Sequence, residues 1–206
     1  MPVNIPRTSR ASAPGLSRLD RFALHWKAKV WLFLGLRGHA TEVFHAVLAR
    51  SPDDLLALNS LGYEAMQGGR HVLALTYFER VLALVPDTSN AHFNVAFVCE
   101  ELGRLEEAER EFSAAIRIED KMDRAWYGLG LVLVRQGRLD EAVQALKHNT
   151  KLQPMSPFGW YQLARVHVDL KQPEEARAVI RHLKGFEPKV AAQLERETGL
   201  AAGSLI

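Results

Sequence analysis

A chain of 206 residues, 48% of them apolar and 24% charged, has the composition of a folded domain with a sizeable core and not that of a disordered segment. Its formal charge of +2 is already supplied by Arg7, Arg10 and Arg18 against Asp20, and the other 23 basic and 23 acidic side chains cancel. No general basic face is left for nucleic acid, so no nucleic-acid partner is expected. The single cysteine, Cys99, excludes an internal disulfide and a cysteine-built zinc site, and it points to a reducing, cytoplasmic setting.

Residues 1–20 hold three prolines and four serines or threonines without apolar periodicity, the pattern of a disordered basic tail. The longest apolar run, Val30 to Leu36, has seven residues. A bilayer core needs about 20, so no integral membrane segment is expected. Lys27 and Lys29 interrupt the apolar stretch and argue against a secretory signal.

From Arg21 onward the chain aligns with itself at a shift of 34 residues, in segments 21–54, 55–88, 89–122, 123–156 and 157–190. The eighth place is always small: Ala28, Gly62, Ala96, Gly130 and Ala164. The twentieth is always alanine: Ala40, Ala74, Ala108, Ala142 and Ala176. Large apolar residues follow four places later, at Phe44, Phe78, Phe112, Leu146 and Ile180. Each segment therefore predicts two antiparallel helices. They approach to about 8 Å where the side chains are small, and the large residue one turn along fills the gap to the next pair.

Between the two helices, Gly35, Gly69, Gly103 and Gly137 occupy a turn position that suits positive φ, and the fifth segment has Lys171 there. Pro52, Pro86, Pro154 and Pro188 stop the second helices, with Asp120 in the remaining segment. The acidic pairs of GRLEEA (103–108) and GRLDEA (137–142) fall in the first turn of a second helix, which favours negative charge. Asp54, Thr88 and Ser156 are candidate N-caps, and Pro173 starts the last helix of segment five. In segment four, Asn149-Thr150 replaces a small apolar pair, and looser packing is expected after it.

The final pair needs a cover. Residues 189–199 supply a capping helix with Val190, Ala191 and Leu194 on one side, Glu195 and Arg196 outward and Gly199 at its end, before a tail at 200–206. At the other end, Val30 to Leu34 crowd the first segment. Either Trp31 and Leu34 pack inside the pair, or Leu32 and Phe33 form an exposed patch that meets a partner, a second copy or a membrane surface.

This 34-residue pattern closely resembles the tetratricopeptide repeat family over residues 21–190, most clearly in Trp126, Leu129-Gly130, Ala142 and Pro154, and in Leu61-Gly62, Ala74, Phe78 and Pro86. Lys27 and His92 depart from the family's usual Leu and Trp. The resemblance implies an all-α fold, a right-handed superhelical solenoid of five helix pairs. It also implies a concave groove lined by the first helices, in which a protein or peptide partner is held without catalysis. Carried over place by place, the groove residues are Asn59, Tyr63, Phe93, Phe97, Arg124, Tyr127, Leu131, Arg135, Phe158, Tyr161 and Arg165.

Tyr127 and Tyr161 are expected to be exposed, whereas Phe93 and Phe97 either line the groove or pack between repeats. The family's clamp for a chaperone's C-terminal carboxylate is matched only by Asn94 and Arg124, and Gly128 stands where its last arginine would be. An alternative function is an assembly factor or structural subunit acting through the apolar first repeat, by self-association or in a membrane-associated complex.

No catalytic site, metal site or cofactor is expected. The eight histidines are scattered, His167 and Asp169 point to different faces of a helix, and no glycine-rich phosphate loop is present. Cys99 falls at a core position. The nine acidic residues between 100 and 123 are expected to form a solvated face.

Overall fold

The computed structural model describes residues 16–201, and every regular element among them is a helix. In chain order these are α1 (Arg18–Phe33), α2 (Arg37–Arg50), α3 (Leu55–Gln67), α4 (His71–Leu84), α5 (Ser89–Glu101) and α6 (Leu105–Ile118). They continue as α7 (Asp123–Arg135), α8 (Leu139–Leu152), α9 (Pro157–Asp169), α10 (Pro173–Lys184) and α11 (Pro188–Thr198). The chain has two compact units, one ending at Arg70 and one beginning at His71.

In the first unit α1 and α2 form a hairpin and α3 packs on α2. α1 begins three residues earlier than the repeat boundary suggests, because Ser17 caps it: the Asp20 amide donates to Ser17 Oγ (3.1 Å). Leu16 is buried as well. The expected tail thus ends before residue 16, and the rest of that expectation, residues 1–15, lies outside the described residues. Asp54 caps α3 as expected, its Oδ1 accepting from the Ala57 amide (2.9 Å) and also from His25 Nε2 (3.0 Å).

In the second unit α4 packs on α5, and the hairpins α5–α6, α7–α8 and α9–α10 follow, each stacked on the next, with α11 closing the stack against α9 and α10. The first helices touch in succession, α5 with α7, α7 with α9 and α9 with α11, whereas α4, α6, α8 and α10 meet one another at most marginally. One layer is therefore more tightly drawn together than the other, and the unit is concave on the side of α5, α7, α9 and α11.

The small and large places behave as their sizes dictate. Every alanine at the twentieth place is inaccessible to solvent, and Phe44, Phe78, Phe112, Leu146 and Ile180 are all buried. The four turn glycines have φ between 69° and 76°, and Lys171 adopts the same left-handed conformation at 59°. His92 shows why a histidine can replace a tryptophan. Its Nε2 donates to the Pro86 carbonyl (2.8 Å), as Trp126 Nε1 donates to Asp120 (2.8 Å) and Trp160 Nε1 to Pro154 (2.9 Å). Each ring ties a first helix to the linker before it.

Several expectations are corrected. Thr88 and Ser156 make no side-chain cap bonds; Ser89 instead donates to Glu119 (2.6 Å). Segment four does not loosen the stack, because Asn149 and Thr150 are buried, and Asn149 Nδ2 donates to the Asp123 carbonyl (2.9 Å). Gly159 of α9 lies so close to Asn149 that a Cβ there would collide with its Oδ1. The pair is polar but tightly packed. Glu195 does not face outward freely either, since Lys184 Nζ lies 2.7 Å from its Oε1.

Nor is the acidic stretch simply solvated. Arg138 Nη1 donates to both oxygens of Glu109 (2.7 Å), Arg104 pairs with Glu107, and Glu111 Oε2 lies 2.7 Å from His92 Nδ1. The hydrogen bond from Arg138, helped by Gln136 and opposed by burial, holds the Glu109 carboxyl below its usual range. Its folded pKa is depressed, so the stabilisation is complete above the unfolded carboxylate value and is lost as pH falls through the folded one. Glu109→Gln is expected to lower Tm by no more than about 4 °C at pH 7, because the pair is partly exposed. That difference disappears in thermal melts below the carboxylate range.

Candidate functional site

The concave side of the second unit carries a cleft of about 360 Å³ lined by Tyr127 of α7, by Pro157, Phe158, Tyr161 and Gln162 of α9, and by Val190 and Gln193 of α11. Repeat spacing explains the first two helices. Tyr127 and Tyr161 occupy the same place in successive repeats, and Phe158 stands one turn before Tyr161. Phe158 is 69% exposed, a large apolar ring held in water by a rigid helix start at Pro157.

Tyr127 and Tyr161 are half-buried, contrary to expectation. The Tyr161 hydroxyl donates to Glu197 Oε2 of α11 (2.6 Å), and Gln193 Nε2 donates to Glu197 Oε1 (2.8 Å). These bonds, Tyr161 first, hold the Glu197 carboxyl below its ordinary range. Arg165 lies over the Tyr161 ring (5.9 Å) and lines a neighbouring polar cleft with Val168, Asp169, Glu197 and Thr198. α11 therefore builds a wall of the concave face as well as covering the core.

Further toward α5, Phe93 and Phe97 stack with centroids 6.2 Å apart, and Phe93 also meets the core ring of Phe112 (5.8 Å). Phe93 is half-buried packing, while Phe97 is exposed. Arg124 covers Phe93 (4.4 Å) and hydrogen-bonds Asn90. Arg135 is also committed, donating to the Glu100 carbonyl (2.8 Å), and Leu131 is half-buried on α7. Glu100 is itself raised above the usual carboxylate range by burial, against the pull of Arg135.

Asn59 and Tyr63 belong to the first unit. Asn59 Nδ2 donates back to the Leu55 carbonyl (2.8 Å), whereas Tyr63 joins Leu32, Arg37, Ser60, Glu64 and Gln67 around a cleft of about 370 Å³. The two suspected end-contact residues thus separate: Leu32 lines this cleft and Phe33 does not. Trp31 is half-buried against His39 (5.2 Å), but Leu34 is exposed and does not pack inside the pair.

Three of the histidines are held by packing or a hydrogen bond: His148 stacks on Trp126 (4.4 Å), His182 lies against Trp160 (4.2 Å), and buried His167 has Nδ1 2.7 Å from Gln172 Oε1. Burial pushes the Cys99 thiol up to about 11, with Arg104 opposing and nearby glutamates adding to the shift. Among the described residues no group of three His, Cys, Asp or Glu could hold a metal ion, and no helix is long and apolar enough to cross a membrane.

Tetratricopeptide repeat models match residues 27–88, 59–123 and 100–148, and a second such model matches 159–189. This chain belongs to the tetratricopeptide repeat family. Solved tetratricopeptide structures share its fold. YrrB, a TPR protein with an unusual peptide-binding site, has a TM-score of 0.72 at 16% identity, with 84% of this chain and 90% of YrrB covered. MamA 41-end from Desulfovibrio magneticus RS-1 has a TM-score of 0.72 at 20% identity, with 85% and 95% covered. TTC0263, a thermophilic TPR protein in Thermus thermophilus, has a TM-score of 0.62 at 21% identity, with 86% and 96% covered. None of the curated proteins matches the sequence.

The tetratricopeptide fold is an all-α helical-repeat solenoid, and the family generally serves as a protein-interaction scaffold without catalysis. The carboxylate clamp known from some tetratricopeptide domains has no room here. Its last arginine would stand at Gly128, where even a Cβ would fall on the Phe112 ring. Asn94, one of its two matched residues, is buried.

Proposed function

We propose that the chain is a non-catalytic scaffold that holds a peptide segment of a partner protein on the concave face of its second unit, centred on the cleft between α7, α9 and α11. The observation that carries this reading is Phe158, an exposed ring beside two tyrosines in a preformed concavity. A cleft of about 360 Å³ accommodates one or two large side chains. The tyrosine rings and the amides of Gln162 and Gln193 then meet the peptide's mixed surface. The rigid stack is organised before binding, so the peptide carries most of the ordering cost.

Peptides selected from a displayed library supply the test, with affinities compared for the natural chain, Tyr127→Ala and Phe158→Ala. Phe158→Ala is expected to weaken binding by about 30-fold or more, the range of a hot-spot residue. Because the ring is exposed, Tm should not change. Tyr161→Ala is less clean, because it also breaks the bond to Glu197 on α11. Equal affinities for all three proteins would remove the cleft from the reading.

A further inference from the structure

We propose that the outer face of α1 is a docking surface for an anionic lipid membrane, on which the helix lies flat. Leu19, Phe22, Trp26, Val30 and Phe33 recur at intervals of three and four residues and so fall on one stripe of a 3.6-residue helix. Leu19 is 81% exposed, Phe22 70%, Trp26 63% and Phe33 90%, while Ala28 on the opposite side is buried. A continuous exposed apolar stripe of this kind marks an interaction surface.

Charge selects its occupant. Lys29 and Arg18 border the stripe on one side and Lys27 on the other, all of them exposed. Asp20 is the sole acidic residue of α1, and its carboxylate already accepts from Ser17 Oγ (2.7 Å). A second copy packed stripe to stripe would bring these cations together with almost nothing to neutralise them. Anionic headgroups instead match them, because lysine stems lie along apolar surface while their ammonium groups reach phosphate. Trp and Phe on one face and Lys and Arg beside them are the composition of a helix seated at the headgroup boundary. At 16 residues, or about 24 Å, α1 lies on a bilayer and does not cross its core of about 30 Å. The inference is independent of the cleft, which belongs to the second unit.

The test is flotation of the full chain with vesicles of phosphatidylcholine alone and of equimolar phosphatidylcholine and phosphatidylglycerol. Binding is expected only to the anionic vesicles, and it should weaken as salt rises from about 0.1 to about 1 M. Trp26→Ser/Phe33→Ser should lower the partition by about tenfold or more, with peptide binding at the cleft unchanged. Should that variant lose its helical circular dichroism, Lys27→Glu/Lys29→Glu, altered only at exposed charges, carries the test with the same expected loss. A chain that fails to float with anionic vesicles, or floats equally with neutral ones, overturns the proposal. So does a dimer in light scattering that Trp26→Ser/Phe33→Ser converts to monomer, since the stripe then belongs to a second copy.

Discussion

Phe112→Ala is expected to lower stability by about 3–5 kcal/mol and to reverse the sign of a second substitution, Gly128→Ala. Phe112 is wholly buried between repeats and touches Phe93, so its removal leaves a cavity that rigid helices cannot collapse. A Cβ on Gly128 would lie 2.6 Å from Phe112 Cε1 and 2.9 Å from Cε2. The ring must then move, at a cost of about 1–3 kcal/mol beyond the helix propensity gained. Once the ring is gone the collision is gone, and alanine should stabilise α7 by up to about 1 kcal/mol. Urea titrations of the four proteins in this cycle measure the coupling. If Gly128→Ala has the same effect with and without Phe112, the close approach of ring and backbone is not what sets the repeat spacing here.

Leu194→Ala is expected to undock α11, with a loss of about 2–5 kcal/mol confined to the end of the stack. Leu194 and Ala191 are the buried anchors of that helix against α9 and α10. The remaining ties, Tyr161 to Glu197 and Lys184 to Glu195, are partly exposed and individually weak. Hydrogen exchange in residues 188–198 should accelerate strongly while α5 to α8 stay protected. Because Val190 and Gln193 line the cleft, peptide affinity should fall in parallel, although neither residue has been changed. Unaltered exchange in α11 would mean that its docking does not depend on the buried leucine.

Spacing at 34 residues exposed the helices and the hairpins within each unit, because a structure built by stacking one unit must repeat its small and large side chains at fixed places. Lys171 departs from the glycines at the equivalent places, and only the structure shows that it adopts their left-handed turn against its own residue type. Exposure within the groove was less legible. Tyr127 and Tyr161 are half-buried, while Tyr63, Phe97 and Phe158 are exposed. Place in the repeat says which face a residue occupies, but not what the next helix sets against it.

α11 shows the same limit. Its apolar side announced a cover for the last pair, yet nothing in residues 189–199 announced that Val190 and Gln193 would complete a cleft with α7 and α9. Val190 and Gln193 lie 28 or more places beyond the α9 lining residues and more than sixty beyond Tyr127, and no local periodicity encodes their meeting. The exposed stripe on α1 is the opposite case. Leu19, Phe22, Trp26, Val30 and Phe33 have the spacing of a buried face, and only the packing of α1 on α2 through the other side shows that this one is left open.

The sequence by itself determined the helices, their turns and the small residues along them, because these depend on backbone conformation and on neighbours close in the chain. Tertiary structure alone decided which aromatic rings remain in water, which acidic side chains are paired, and that α11 forms a wall of the cleft. Each of those outcomes depends on atoms supplied by a different helix, whose distance and angle emerge only when the stack is assembled.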